Sequence, residues 1–119
     1  MNFTDLVVWK KARALRNRIF ILIEKFPSSE KFALRDQVIR ASRSITSNIA
    51  EGHGHYHHKE NIRYCRMARA SLSETLDHLI CAHDCQLMNK SDLEELSDRI
   101  EEVERILNGY IAHLKSKTP

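Results

Sequence analysis

Between Leu34 and Gly54 (LRDQVIRASRSITSNIAEGHG) the apolar residues Leu34, Val38, Ala41, Ile45 and Ile49 recur at steps of three and four. That period stacks side chains on one face of an α-helix and would scatter them over both faces of a strand. The stripe has to be buried, so the chain must supply other elements to cover it. Beside it run Gln37, Arg40, Ser44, Asn48 and Glu51 at the same spacing, a band of hydrogen-bonding groups along the border of the core. Two readings of this band stay open. It is either a device that fixes a helix or subunit contact, because buried polar groups cost energy unless paired, or solvated surface. Gly52 is expected to end the helix as a left-handed C′ residue.

Only three Gly and two Pro occur in 119 residues, too few for a turn-rich β protein. One domain over residues 1–119 with four long helices is expected, at about 4–26, 29–52, 58–88 and 91–115. Helix 1 starts at a Thr4 N-cap and carries the stripe Val8, Ala12, Leu15, Ile19, Leu22 and Phe26. Trp9, Phe20 and Ile23 widen its apolar surface beyond what one neighbour covers, which suits contact with another subunit. Pro27 ends it, and Ser28 or Ser29 caps helix 2. Helix 3 buries Cys65, Ala68, Leu72, Leu76, Leu79 and His83, with Ile62 and Ile80 alongside and with Met67, Ser71 and Glu74 on a second face as a candidate interface. Helix 4 opens on the capping-box pattern Ser91-Asp92-Leu93-Glu94 and carries the heptad Leu93, Leu96, Ile100, Val103, Leu107, Tyr110 and Leu114. Gly109, costly in a helix interior, is read as permitting a close backbone approach. Short links between long helices make them antiparallel neighbours, so the fold class is an all-α, up-down four-helix bundle.

Charge is unevenly distributed. Residues 1–69 hold 14 Lys+Arg against 6 Asp+Glu, whereas residues 70–119 hold 5 against 10. Such asymmetry suits self-association or an acidic partner such as RNA or DNA on the basic part. The candidate nucleic-acid-binding residues are Lys10, Lys11, Arg13 and Arg18 on helix 1, Arg40 and Arg43 on helix 2, and Arg63 and Arg66 on helix 3. The competing reading is a protein-interaction or scaffold module in which these arginines pair with acids. Exposed Arg40 or Arg43 favours the first; pairing with Glu51, Glu74 or the helix 4 acids favours the second.

No apolar run approaches the roughly 18 residues of a membrane span, and a soluble, cytoplasmic protein is expected. Cys65, Cys81 and Cys85 are odd in number and fall in one helix, which speaks against a disulfide framework. His53, His55, His57 and His58 crowd one loop, and His78, Cys81 and Cys85 share a helical face, yet neither set has a standard zinc spacing. No metal or cofactor is expected. There is no Gly-rich phosphate loop, nucleophile elbow, H-E-x-x-H or Glu-x-x-His constellation, so no enzyme is expected either.

Several blocks carry a family resemblance: Asp5-Leu6-Val7-Val8-Trp9-Lys10-Lys11-Ala12, Phe26 to Leu34, Gln37 with Arg40-Ala41 and Ser44-Ile45, Asn48-Ile49-Ala50-Glu51-Gly52, and Ala68 with Ser71-Leu72 and Glu74. Over nearly its whole length the chain resembles the bacterial four helix bundle proteins, also called rRNA intervening-sequence proteins. The resemblance implies an up-down bundle assembled as a ring-shaped homopentamer, and Trp9, Gln37, Ser44, Asn48, Glu51, Gly52 and Glu74 are the candidate interface or structural residues. Related accessory proteins of diversity-generating retroelements bind nucleic acid and a reverse transcriptase, which implies similar partners. Two positions depart from the family pattern. His55 to His58 stand where a cap and basic residues are usual, and Asn61 stands in place of Phe, so the start of helix 3 is expected to differ locally. Any loop contact with nucleic acid would then depend on histidine protonation.

Overall fold

A computed structural model describes residues 1–27 and 32–118. These residues form a 3-10 turn, Phe3–Asp5, and four α-helices: α1 (Val7–Ile23), α2 (Phe32–Gly54), α3 (His58–Asp84) and α4 (Lys90–Ser116), with no strand among them. Each helix packs on its two neighbours in chain order, α4 closing back on α1, and the α2–α3 seam is the most extensive. The result is a rod of 50 × 22 × 20 Å.

The apolar stripes meet along its axis. Val8, Ala12, Leu15, Ile19 and Leu22 of α1 face Val38, Ile45 and Ile49 of α2, and with the stripes of α3 and α4 they make one continuous core. Some expected positions shift. Ile23 joins the core outright, whereas Leu34, Leu76, Leu93 and Tyr110 only pack against it. Late in α4 the seam passes through Ile111 because a helix of 3.6 residues per turn drifts from a strict heptad. His83, expected inside, is 39% exposed at its side chain beside Asp84. The buried position on that face is Ala82, while Thr75 is buried completely because its hydroxyl donates to the Ser71 carbonyl at 2.7 Å.

Helix ends depart further from expectation. Asn2, not Thr4, caps the first turn: its side chain accepts from the Thr4 N–H at 2.8 Å, and Asp5 accepts in return from the Asn2 N–H. Leu6 then adopts an extended backbone and α1 begins at Val7. The helix stops at Ile23, and hydrogen bonds three residues back from Lys25 and Phe26 tighten the exit and bring Phe26 into the core. Capping of α2 by Ser28 or Ser29 lies outside the described residues. Asn89, not Ser91, caps α4, accepting from the Asp92 N–H at 2.7 Å. α3 ends at Asp84, four residues early, in a Schellman arrangement: Gln86 takes φ 64° while Leu87 and Gln86 donate to the carbonyls of Ala82 and His83.

Gly52 does not end α2. It is helical and buried, and α2 continues through Gly54. A Cβ there would lie 2.7 Å from Asn61 Oδ1 and 2.9 Å from Tyr64 Cβ, so the missing side chain lets α2 and α3 approach. Gly109, by contrast, is exposed, and among the described residues nothing lies within 4 Å of a would-be Cβ, so the expected close approach is not made there.

Candidate nucleic-acid interface

The cations of α1 sort by which neighbour they face. Those facing α4 are paired. Lys11 Nζ lies 3.3 Å from Glu102, and Arg18 grips Glu95 with two hydrogen bonds of 2.7 and 2.9 Å. Glu95 also accepts from Arg99 Nε at 3.0 Å. The Arg18 guanidinium, helped by Arg99, holds the Glu95 carboxyl down to about 2. On α3, Arg63 makes a bidentate pair with Glu60 at 3.1–3.2 Å and lies over the Tyr64 ring. Acids of α4 therefore partly neutralise α1, and Lys11, Arg18 and Arg63 are engaged within the chain.

Those facing α2 are not. Arg13 sits over the Trp9 ring, 5.7 Å from its centroid, and Trp9 in turn meets Phe3 edge to face at 5.1 Å. Arg16 is half-buried, donating to Thr46 Oγ1 at 3.1 Å and to Asn17 Oδ1 at 3.3–3.4 Å. Burial, then the charges of Arg13 and Arg43, lower its pKa. Arg40 and Arg43 are exposed, and among the described residues neither they, Arg13 nor Arg16 pairs with a carboxylate. Arg16 is not among the helix 1 candidates read from the sequence, Lys10, Lys11, Arg13 and Arg18. Its i, i+3 relation to Arg13 was the available signal. Lys10 is exposed elsewhere on α1, and Arg66 lies with Lys59 and Lys115 in a separate cleft between α3 and α4.

Arg16 and Arg43 line an open groove of about 640 Å³ between α1 and α2. Its floor is Ile19, Ile23, Ile39 and Ala50, Trp9 and Phe20 wall the α1 side, and the α2 hydroxyls of Ser42, Thr46 and Ser47 line the other.

The polar band of α2 divides. Ser44 meets Ser71 at 2.9 Å, and Asn48 donates to both the carbonyl and hydroxyl of Ser44 at 2.9–3.0 Å, so both serve the α2–α3 seam inside the bundle. Gln37 and Glu51 are exposed; hydrogen bonding to Glu51 is the main cause of a raised Tyr64 pKa. Glu74 is exposed, 3.8 Å from His78. Among the described residues no three His, Cys, Asp or Glu side chains converge on a metal position. Among the described residues no helix is long and apolar enough to cross a membrane.

The sequence profile of the 23S rRNA-intervening sequence proteins matches residues 4–109. The chain belongs to the 23S rRNA-intervening sequence protein family. A crystallised protein of unknown function from the S23 ribosomal protein family of Bacteroides thetaiotaomicron has the same fold, with a TM-score of 0.81 at 23% identity over 88% of this chain and 98% of that one. No curated protein matches. The departure at Asn61 has a structural answer. Asn61 is buried against Gly52, donates to the Tyr110 hydroxyl at 3.1 Å and accepts from the Cys65 thiol at 3.5 Å. Burial pushes that thiol up to about 11. Of the loop histidines, His55 stacks on Tyr64 at 5.1 Å and 16°.

Proposed function

We propose that this protein is a non-enzymatic, oligomeric binding protein that takes RNA or DNA on the basic surface of α1 and α2. The observation that carries the reading is that Arg40 and Arg43 are exposed and have no carboxylate partner among the described residues. Arg13 and Arg16 extend the same positive surface across the α1–α2 groove. Phosphate is the polyanion such guanidiniums recognise best, by paired N–H donors. The family's link to rRNA is consistent with this chemistry.

The ring-shaped homopentamer is part of the proposal. Val7 and Ile21 of α1 and Met67 and Ile80 of α3 leave large apolar surface exposed, which a second copy would cover. A ring would repeat the arginines, turning weak phosphate contacts into avidity. A reverse transcriptase as protein partner rests on the family resemblance alone. A titration of structured RNA and duplex DNA over a range of salt tests the reading. Affinity should fall steeply as salt rises, with counterions released at each phosphate contact. Absence of binding at low salt would leave the scaffold reading in its place.

A further inference from the structure

The α1–α2 groove is larger and more mixed in chemistry than bundle packing requires. The neighbouring α2–α3 seam closes on Gly52 and on the Ser44–Ser71 contact, whereas about 640 Å³ stays open here. Three guanidiniums gather at its edge, and none of the described residues lining it is a carboxylate. On the α1 wall, one turn beyond Arg16, Phe20 keeps 41% of its surface exposed. From Trp9 to Ile23 the groove follows some 14 residues of α1, about 21 Å of helix.

We propose that this groove seats a short unpaired stretch of nucleic acid, its bases against Phe20 and the isoleucine floor and its phosphates on Arg13, Arg16 and Arg43. The inference rests on the nucleic-acid reading above and narrows it to unpaired strand. Charge selects an anion, because three like charges so close repel one another until an anion lies between them; burial first, and then the charges of Arg13 and Arg43, make Arg16 hold its proton less tightly. Shape selects a strand. Neighbouring helices pack 8–10 Å apart, so a third helix some 10–12 Å across would ride on the rim, whereas a flat base enters. A duplex keeps its bases stacked inside itself and offers the rim only phosphate. Base stacking on aromatic side chains beside a basic track is how unpaired strands are held without reading their sequence.

Trp9 is the single tryptophan and lines the groove, so its fluorescence reports occupancy. The probes are an oligothymidylate of about 12 nucleotides and a hairpin duplex of similar length. Expected are a change in Trp9 emission with the single strand and none with the hairpin, about tenfold weaker single-strand binding in Phe20→Ala, and hairpin affinity unchanged in that variant. Arg16→Gln should weaken single-strand binding by a similar factor while leaving the helical circular dichroism of the chain intact. Equal binding of both probes with silent Trp9 emission and no effect of Phe20→Ala would overturn the groove inference and leave the surface-arginine reading standing. Loss of all binding to both probes would overturn the nucleic-acid reading itself. Trp9 emission that changes with protein concentration alone, and stops doing so in Phe20→Ala, would assign the groove to a second copy and overturn the inference.

Discussion

Gly52 and Gly109 are both helical, yet they should respond oppositely to alanine. At Gly52 a Cβ would strike Asn61 and Tyr64 at 2.7 and 2.9 Å, and the Tyr64 Cβ cannot move without its backbone. Gly52→Ala should therefore cost about 1–3 kcal/mol in urea unfolding, overpacking outweighing the better helix propensity. Among the described residues Gly109 meets open space, so Gly109→Ala should gain about 0.5–1 kcal/mol in the same measurement. Proximity to the helix end made Gly52 look like a C-cap. Only the closeness of α3, set by residues beyond it, tells a packing glycine from a terminating one. Asn61 is similar: alone in the sequence it is a polar residue on an apolar stripe, and it becomes intelligible once Tyr110, 49 positions away, supplies its partner.

At the scale of elements, the pairing of Arg18 with Glu95 ties α1 to α4 and makes a prediction about acid. Glu95 is held well below its unfolded value, so its contribution is present above about pH 4.5 and is lost as pH falls through the folded value of about 2. With the carboxylate a third exposed, screening leaves it worth about 1 kcal/mol. Glu95→Gln should lose that amount at pH 7 and nothing near pH 2, as chemical denaturation at the two pH values would register. Val103, 1% exposed in α4, is the corresponding core test: Val103→Asp buries an unpaired charge and should cost several kcal/mol or abolish folding, judged by loss of helical circular dichroism. The helices themselves were legible because burial imposes a 3–4 period that the sequence of each element displays. Their ends were less so. Asn2, Asn89 and Gln86 decide ends by particular hydrogen bonds and one left-handed residue, where the neighbouring Thr4 and Ser91 are equally good caps by type.

For the whole molecule, the candidate interface was legible as a list of cations but not as a surface. Which of them remain available depends on cross-helix distances: Arg18 finds Glu95 77 positions away, while Arg43 faces the groove instead. The charge asymmetry of the sequence is thus resolved into a neutralised α1–α4 side and a positive α1–α2 side. The most direct measurement of this division compares two variants of unchanged oligomeric mass by light scattering, Arg40→Glu/Arg43→Glu and Lys11→Gln/Arg18→Gln, in a salt-dependent titration with structured RNA. The account predicts that the first variant loses most of the affinity and flattens the salt slope by about one for each cation removed, while the second binds nearly as the native protein does. Equal losses in both variants, or native affinity in the first, would contradict it.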